Sequence, residues 1–530
     1  MDLQKTIGQR LSFAFHTKGP ITDEIIDAFK SYQPGGITLF RSLNIENAAQ
    51  VKAFTSALQG LARQLGLPPL IIATDQEGGQ LMAFGDGTPL PGNMAIGATR
   101  SVELAKKAGE VLGREMAALG INVDYAPCAD VNINPMNPVV GVRSFGGDPT
   151  MVGEMAAAMI EGIQSQGVAA TVKHFPGHGD TTSDTHHGLS MLPHSPERLN
   201  RVELVPFRAA LKANPKMVMI SHLGITALDG ENAPPATLSR KVIDGLLRGE
   251  LGYDGVVITD AMDMRAIRQG EALGEDVLRA AQAGVDLLLM TSDPLDKKRA
   301  YDALLNAAQS GGLSNAGLES AQQRIQLLKA WLVENQTTQD LSVIQSAEHQ
   351  RVADEIAERS LTLVRDDRHI LPLALDKEKR VAVIVPIPED LTPADTSSYI
   401  RPMLADSIRA YHSHVDEIRI PYAPSLVQAS QVLEQVQGYD LIVMGTINAY
   451  SEESQAEFVR RLLATGKEVI VIAMRLPYDL ANFPLAPTYI CTYSILEPSM
   501  RAVAKALFGG LKMTGRLPVG IPGLYPLEQS

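Results

Sequence analysis

Several residue types are scarce in this 530-residue chain, and each scarcity excludes a class of protein. Two cysteines occur, Cys128 and Cys491, which lie far apart inside apolar runs. Isolated thiols of this kind argue against a disulfide framework and are typical of a reducing compartment. Basic residues are outnumbered, with 47 Lys and Arg against 60 Asp and Glu, so the net charge is −13. This charge argues against a nucleic-acid partner, which needs a basic face, and is unfavourable for binding an anionic membrane surface.

Long apolar runs are also missing from the sequence. No stretch reaches the roughly 18 to 20 uninterrupted apolar residues that span a bilayer. The N-terminus, from Met1 to Lys5, leads into mixed polar sequence with neither the apolar core nor the small-residue cleavage site of a secretion signal. We therefore predict a cytoplasmic protein with no membrane partner.

The first 330 residues alternate between short apolar strands and longer helical patterns. The eight strand candidates are residues 11–16, 36–41, 70–75, 123–128, 169–174, 217–222, 255–260 and 286–290. Continuous apolar strands separated by helix-length segments suit a parallel sheet that is covered on both faces. Eight β/α units in about 300 residues predict an α/β fold of the (β/α)8, TIM-like barrel type. An open doubly wound sheet would give the same alternation.

Ionisable side chains follow five of these apolar strands. They are Asp75, Asp130, the pair Lys173 and His174, His222 and Asp260. In a barrel the C-terminal ends of the strands converge on one face, where active sites lie. Each residue alone would also suit a loop start or a helix cap, but five together favour a shared site.

A polar segment after Leu332 predicts a linker between two domains. We place the barrel domain at residues 1–335, the linker at 336–350 and a C-terminal domain at 351–530. The strand candidates of the second domain are residues 380–386, 415–420, 440–445, 468–473 and 488–493. They again alternate with helical patterns, which predicts a smaller αβα layered domain. No glycine-rich segment has the spacing of a nucleotide-binding loop.

A histidine cluster is the strongest sign of chemistry. Five of the eleven histidines fall between His174 and His194, on a stretch rich in Gly, Pro, Thr and Ser. A structural histidine is usually single, so a cluster on a loop indicates function. Asp184 and His186 suggest a dyad, in which the carboxylate fixes the imidazole tautomer and the other ring nitrogen moves a proton. An Asx-turn with an exposed histidine is the structural alternative.

Metal binding is a rival interpretation of the histidine cluster. The candidate ligands are His174, His178, His186 and His187. Neither a helical His-x-x-x-His with an intervening Glu nor a paired Cys motif occurs, so we expect no metal and no cofactor.

Asp260 and Arg143 are candidates for direct contact with a substrate. Asp260 ends a β-branched strand, and a carboxylate held rigidly against a cleft can attack an electrophilic carbon. Helix N-capping is the alternative role for Asp260, and Asp263 is a less rigidly placed competitor. Arg143, in a Gly-rich loop, suits a clamp for a polar substrate.

Together these motifs resemble those of glycoside hydrolase family 3 β-N-acetylglucosaminidases of the two-domain type. The similarity runs in order through residues 75–79, 91–97, 132–135, 141–146, 173–187, 221–222 and 257–260. The Lys-His-Phe-Pro-Gly-His-Gly stretch with its later Asp-x-His is specific to this branch. Residues 357–364 and 515–519 are similar to the start and end of the αβα domain in these relatives.

The resemblance implies a retaining exo-β-N-acetylglucosaminidase that removes terminal β-linked GlcNAc from muropeptides or chito-oligosaccharides, with a place in peptidoglycan recycling. Asp260 would form a covalent glycosyl-enzyme intermediate. His186, oriented by Asp184, would protonate the leaving oxygen and then activate water. The residues implied to contact the sugar are Asp75, Arg143, Lys173 and His174, with Asp130 and His222 as weaker candidates.

One departure from the family pattern bears on specificity. The Gly-Gly pair after Asp75 is commonly followed by Arg in the family, whereas this chain has Gln80. A lost charge near the sugar site would alter the preference for the leaving group. The C-terminal domain has no matched catalytic residue, so we expect it to contribute stability or dimer contacts; the oligomeric state itself is left open.

Two other functions stay open. A β-N-acetylglucosaminide phosphorylase would use the same residues, because a histidine acid/base tolerates an anionic acceptor better than a carboxylate does. A non-catalytic sugar-binding protein is the second alternative, and the intact Asp184, His186 and Asp260 argue against it.

Overall fold

The computed structural model describes residues 2–182, 185 and 188–527. Short strands and helices alternate through the first 330 residues. The strands are β1 (Leu11–Phe13), β2 (Gly36–Leu39), β3 (Ile71–Thr74), β4 (Gln76–Gly78), β5 (Leu81–Met82), β6 (Val123–Asp124), β7 (Ala169–Phe175), β8 (Ser190–Leu192), β9 (Met217–Ile220), β10 (Leu223–Ile225), β11 (Val256–Thr259) and β12 (Leu288–Leu289).

Eight of these strands form one parallel sheet in the order β11-β9-β7-β6-β3-β2-β1-β12. A parallel bridge between Ile258 and Leu287 joins the two end strands, and the Thr259 amide donates to the Leu287 carbonyl at 3.2 Å. The sheet therefore closes into the predicted TIM-like barrel, and the open doubly wound alternative is wrong. All eight predicted strands of this domain are confirmed.

The helices of this part surround the barrel or connect its strands. They are α1 (Leu3–Gly8), α2 (Asp23–Tyr32), α3 (Arg41–Asn44), α4 (Ala48–Gln64), α5 (Asn93–Thr99), α6 (Val102–Leu119), α7 (Pro149–Ser165), α8 (Pro196–Arg201), α9 (Leu204–Lys212), α10 (Thr226–Asp229), α11 (Leu273–Ala283), α12 (Pro294–Ser310) and α13 (Asn315–Glu334). A π-helix spans Lys241–Glu250 between β10 and β11.

The barrel strands are apolar throughout because both of their faces are covered. On β3, Ile71 and Ala73 belong to the core inside the barrel, whereas Ile72 packs outward with the surrounding helices. This is the two-residue alternation of a strand. Ile325 and Leu328 of α13 join the interior core, so α13 covers the N-terminal end of the barrel. The opposite, C-terminal end is left for a site.

The second domain is a six-stranded sheet between helices. Its strands are β13 (Thr362–Asp366), β14 (Val381–Pro386), β15 (Val415–Ile420), β16 (Leu441–Thr446), β17 (Glu468–Ala473) and β18 (Thr488–Cys491), in the order β13-β18-β17-β16-β14-β15. Its helices are α14 (Ala347–Ser360), α15 (Leu404–Arg409), α16 (Leu426–Gln435), α17 (Glu453–Ala464) and α18 (Glu497–Leu507). α15 and α18 share one core while α16 and α17 share the other, which confirms the αβα layers.

The two domains pack closely against each other. The Arg516 amide donates to the Ala98 carbonyl at 3.0 Å, and the Gly147 amide donates to the Pro518 carbonyl at 2.9 Å. His349 of α14 lies 2.9 Å from the Glu115 carboxylate of α6, and both side chains are buried. Among the described residues, no helix is long and apolar enough to cross a membrane.

Candidate active site

A cavity of about 630 Å³ lies at the C-terminal ends of the barrel strands. The sequence-predicted residues that line it are Asp75, Arg143, Lys173, His174 and Asp260. They lie at or after the ends of four strands, β3, β6, β7 and β11, with Lys173 and His174 both on β7, and closure of the barrel brings them together. This is the face of the fold on which TIM-barrel active sites form.

A buried ion network forms the inner end of the cavity. Lys173 of β7 places its Nζ 2.6 Å from Asp75 Oδ1 and 2.6 Å from Glu77 Oε1. Arg143 donates two hydrogen bonds to Glu77, at 2.9 Å and 2.7 Å. Asp75 is the most accessible member, with 22% of its side chain exposed against 1% for Lys173. Asp75 therefore faces the cavity, and its contact with the buried Lys173 fixes the position of its carboxylate.

Charge pairing keeps this network ionised at neutral pH. Burial favours the uncharged form of Glu77, but Arg143 and Lys173 outweigh it and lower the pKa of Glu77 to about 2. Burial would likewise lower the pKa of Lys173, yet Asp75 and Glu77 raise that pKa above its usual value. Glu77 was not singled out from the sequence. Gly78 and Gly79, both with positive φ, form the turn between β4 and β5.

Asp130 acts on the cavity through His174. Asp130 is fully buried, and its Oδ2 lies 2.7 Å from His174 Nδ1. The Asp130 carboxylate therefore accepts a hydrogen bond from Nδ1–H of His174. The other ring nitrogen, Nε2, lies 3.4 Å from Arg143 Nη2. Asp130 also accepts from the His178 amide at 2.6 Å. Burial raises the pKa of Asp130, but His174 and His178 lower it further, so it stays ionised.

His222, the other weaker candidate, lies in the wall rather than in the cavity. It is fully buried, with Nε2 3.0 Å from the Ala261 carbonyl and Nδ1 2.7 Å from the Thr237 hydroxyl. The Ala261 carbonyl accepts from Nε2–H, and the Thr237 hydroxyl donates to the Ser221 carbonyl at 3.0 Å. Neither His222 nor Asp130 is among the residues that line the cavity, and direct contact of either with a sugar stays a prediction. Position at a strand end does not determine on which side of the wall a side chain lies.

Asp260 is fixed by the strand that it follows. Its amide continues the sheet ladder by donating to the Ile220 carbonyl of β9 at 3.0 Å. Its Oδ1 accepts from the next amide, Ala261, at 2.8 Å. Residues 261–268 form turns, and α11 begins only at Leu273, so Asp260 is not the N-cap of a following helix. A half-buried carboxylate on a rigid strand suits attack on a bound substrate.

The proposed dyad, Asp184 and His186, lies outside the described residues, as does His187. Their neighbour Thr185 lines the cavity, and its hydroxyl lies 3.4 Å from His178 Nε2. Burial lowers the pKa of His178 to about 4, so this imidazole is neutral. Gly179 is required nearby, because a Cβ there would overlap the Val131 carbonyl oxygen.

A charged cluster joins the two ends of the loop that carries Thr185. His194 Nε2 lies 2.9 Å from Asp180 Oδ2. Arg198 Nη2 lies 3.4 Å from the same Asp180 oxygen and 3.1 Å from Glu203. The base of the loop is thereby held on both sides.

Two groups of potential metal ligands occur among the described residues. They are Cys128 with Asp130 and His174, and Asp180 with His194 and Glu203. In the first group, burial raises the pKa of the Cys128 thiol well above its usual value, so the thiol stays protonated. In the second group, the Arg198 guanidinium already supplies the positive charge between the carboxylates.

The C-terminal domain also contributes to the cavity, which corrects the expectation of stability or dimer contacts alone. The lining residues from this domain are Asp390, Pro393, Ala394, Asp395, Thr396 and Tyr399. No motif marked this segment in the sequence, because its proximity to the barrel arises only when the domains pack together.

Gln80 holds this segment of the C-terminal domain. Its backbone carbonyl accepts from the Thr396 amide at 2.8 Å and from the Thr396 hydroxyl at 2.9 Å. Its side chain contacts the Ala394 carbonyl and Arg475, and Arg475 pairs with Asp395 at 2.6 Å. Gln80 is not a lining residue, so the position serves the domain interface.

Comparisons with known proteins agree with this architecture. The profile of the Glycosyl hydrolase family 3 N terminal domain matches residues 3–328, and that of the C-terminal domain matches residues 361–525. Beta-hexosaminidase A of Pseudoalteromonas piscicida is 33% identical over 546 residues, covering 94% of this chain and 91% of that protein.

Solved structures extend the similarity to the whole chain. A glycoside hydrolase family 3 β-N-acetylglucosaminidase from Paenibacillus sp. str. FPU-7 is 36% identical, with a TM-score of 0.92 over 98% of each chain. A β-glucoside phosphorylase is 26% identical, with a TM-score of 0.83 over 98% of this chain and 94% of its own. From its sequence and its fold, the chain belongs to glycosyl hydrolase family 3.

Proposed function

We propose that the protein is a retaining exo-β-N-acetylglucosaminidase that removes terminal β-linked GlcNAc from muropeptides or chito-oligosaccharides. The observation that carries this proposal is the placement of Asp260 in one cavity with Asp75, Arg143, Lys173 and His174. The activity named for the Pseudoalteromonas and Paenibacillus relatives supports the substrate class.

The buried network explains why the enzyme would act on chain ends. Asp75, Lys173 and Arg143 close the inner end of the cavity with paired charges. A polysaccharide therefore cannot thread past them, and one terminal sugar fills the inner end. Asp75 and His174 Nε2 offer hydrogen bonds to the hydroxyl and acetamido groups of that sugar.

The proposed reaction proceeds in two displacements at the anomeric carbon. Asp260 attacks this carbon, forming an ester bond, while the bond to the leaving oxygen breaks and His186 gives that oxygen a proton. His186 then takes a proton from water, which attacks the same carbon and releases Asp260. Two inversions retain the anomeric configuration. Asp184 would orient His186 throughout, and no metal or organic cofactor is needed.

The two domains would have different roles in the reaction. Residues 1–335 would hold the reacting groups, residues 336–350 would link the domains, and residues 351–530 would close the outer side of the cavity. These boundaries stay a prediction. The low cysteine count supports a cytoplasmic location, and we propose a role in peptidoglycan recycling.

Covalent trapping tests the proposal. An activated fluoro-sugar analogue of GlcNAc should leave a stable adduct on the enzyme, and peptide sequencing by mass spectrometry should place it on Asp260 rather than Asp263. Asp260→Asn should give no adduct. An adduct on another residue would remove Asp260 from the nucleophile role, and no adduct on an intact, folded enzyme would favour a sugar-binding protein.

Phosphorolysis is a second candidate, because a β-glucoside phosphorylase shares the fold over almost the whole chain. In phosphorolysis, phosphate rather than water would attack the glycosyl-enzyme and yield GlcNAc-1-phosphate. Product analysis in phosphate buffer distinguishes the two reactions. We expect free GlcNAc to be the main product, and a majority of GlcNAc-1-phosphate would reverse the assignment.

A further inference from the structure

The cavity has a buried inner end and an exposed outer rim. Lys173 and His174 at the inner end are 1% and 5% exposed, whereas Tyr399 at the rim is 56% exposed. The exposed lining residues Asp263, Asp293 and Asp390 lie with Tyr399 at this rim. An exo-acting glycosidase holds the terminal sugar at the inner end, so the rim receives the leaving group.

Two of the rim carboxylates, Asp390 and Asp293, accept hydrogen bonds from backbone amides and a hydroxyl group. Asp390 accepts from the Ser398 amide and hydroxyl, each at 2.7 Å. Asp293 caps α12 by accepting from the amides of Leu295 and Asp296, at 2.7 Å and 3.1 Å. These donors carry no formal charge, and the nearby cations, Arg41 for Asp390 and Lys297 for Asp293, act on the carboxylates only through longer-range electrostatic attraction.

Other acids of the lining are matched by cations and contribute less. Asp395 pairs with Arg475 at 2.6 Å, and Asp296 pairs with Arg299 at 2.8 Å. Asp75 at the inner end pairs with Lys173. The charge that a leaving group meets thus comes mainly from the rim carboxylates.

One cationic side chain of the described lining, Arg41, lies at the rim, where it attracts Asp390 and offsets one of the three carboxylate charges. The Arg41 guanidinium lies 4.1 Å from the centre of the Tyr399 ring, and its Nη1 donates to the Met82 carbonyl at 3.0 Å. Lys173 and Arg143, the other lining cations, are paired at the inner end. The outer rim, defined by Arg41, Asp263, Asp293, Asp390 and Tyr399, is consequently acidic.

We infer that the outer rim selects the leaving group by charge. It favours an uncharged or cationic amino sugar, such as N-acetylglucosamine or glucosamine, over a sugar that carries a carboxylate. This inference rests on the proposed function and narrows it to chito-oligosaccharides, including partly deacetylated ones. Removing one charge about 8 Å away in water changes a binding constant by about twofold, so three rim carboxylates offset by the Arg41 guanidinium support a preference of about fourfold.

Three disaccharides with GlcNAc at the non-reducing end test the inference. The leaving sugars are N-acetylglucosamine, glucosamine and N-acetylmuramic acid, which are neutral, cationic and anionic. At low ionic strength, we expect kcat/KM for the anionic substrate to be about fourfold below that for the neutral one. Because the rim is exposed, about 0.5 M salt should reduce this gap to about twofold.

Salt dependence separates charge from the added bulk of the lactyl group. A gap that persists unchanged in high salt would be steric, and it would overturn the inference. Equal rates on all three substrates, or faster turnover of the anionic one, would also overturn it.

Isosteric variants test whether the rim carboxylates cause the charge preference. In the double variant Asp293→Asn with Asp390→Asn, the amide oxygens keep the cap and the contact to Ser398, while two charges are lost. The anionic-to-neutral ratio of kcat/KM should rise about fourfold. Asp367→Asn, an exposed position of the C-terminal domain outside the cavity, should leave the ratio unchanged. A rise in the control equal to that in the double variant would show an effect of net charge alone.

Hydrolysis of GlcNAc fluoride, which has no leaving sugar, tests the proposed function independently of the charge preference of the rim. If the wild-type enzyme fails to hydrolyse it, the proposed function is wrong and the inference falls with it. If the fluoride is hydrolysed and the three disaccharides show no salt-dependent ranking, the charge inference alone is wrong.

Discussion

Glu77 accepts two hydrogen bonds from Arg143, and the two side chains are 1% and 2% exposed. The pair joins the turn after β3 to the loop that precedes α7. Lys173 adds a third charge on the same carboxylate at 2.6 Å. Glu77 does not line the cavity, yet it fixes two side chains that do. It is therefore a positioning residue.

Replacing this carboxylate should destabilise the barrel domain. Glu77→Gln leaves Arg143 and Lys173 with less negative charge in a buried site, which costs about 3–5 kcal/mol. Urea unfolding followed by tryptophan fluorescence and circular dichroism measures the shift in midpoint. Glu103→Gln, which removes an exposed partner of Lys107, is the matched control and should move the midpoint little. Equal shifts in the two variants would contradict the buried-network interpretation.

The same pair predicts how stability depends on pH. The pKa of Glu77 is lowered from 4.5 to about 2 in the folded protein, so Glu77 binds its proton at a lower pH there than in the unfolded chain. Its contribution, on the order of 3 kcal/mol, is complete above the unfolded pKa and is lost as the pH falls through the folded one. Between about pH 5 and pH 3, the unfolding midpoint of Glu77→Gln should fall less steeply than that of the wild type. Parallel curves would argue against the lowered pKa.

Strands were predicted best from the sequence where both of their faces are buried. The barrel strands are apolar on both faces, as on β3 with Ile71 and Ile72, and every one of them was predicted. β13 was missed because it lies at the edge of its sheet and most of its residues, from Leu363 to Asp366, are partly or fully exposed. An edge strand of this kind carries no apolar pattern.

The site was predictable only in part for a related reason. Strand ends identify residues that reach the C-terminal face, such as Asp75, but not which of them face inward. Asp130 and His222 lie at the same level of the barrel and are buried in its wall. Glu77 and the segment 390–399 act through partners that are distant in sequence, so no local pattern could identify them.

Asp260 should be indispensable for turnover. Asp260→Asn removes the nucleophile without changing the shape of the side chain, so kcat on an aryl β-GlcNAc should fall by about 10⁴-fold or more. Asp254→Asn, an exposed position just before the same strand, should retain normal kcat. Steady-state assays of the two purified variants make the comparison. Residual activity of a few per cent in Asp260→Asn would exclude it as the nucleophile.

His186 should matter most when the leaving group needs a proton. His186→Ala should lower kcat/KM by about 10²- to 10⁴-fold on chitobiose, whose leaving oxygen is basic. On an aryl substrate with an acidic phenol, formation of the glycosyl-enzyme should change far less. Parallel kinetics on the two substrates measure the difference. An equal loss on both would show that His186 does not act as the acid.

Arg475 of the second domain should affect substrate binding by fixing the segment 390–399 at the rim of the cavity. Its guanidinium pairs with the buried Asp395, and it contacts Gln80 across the interface. Arg475→Met would leave the carboxylate uncompensated and loosen the segment 390–399, which lines the rim. We expect KM for chitobiose to rise about tenfold while turnover of GlcNAc fluoride changes little, because only the former occupies the rim. Arg368→Met, which breaks an exposed pair with Glu468, is the control. If Arg475→Met lowered both activities alike, the segment would serve the fold rather than the leaving group.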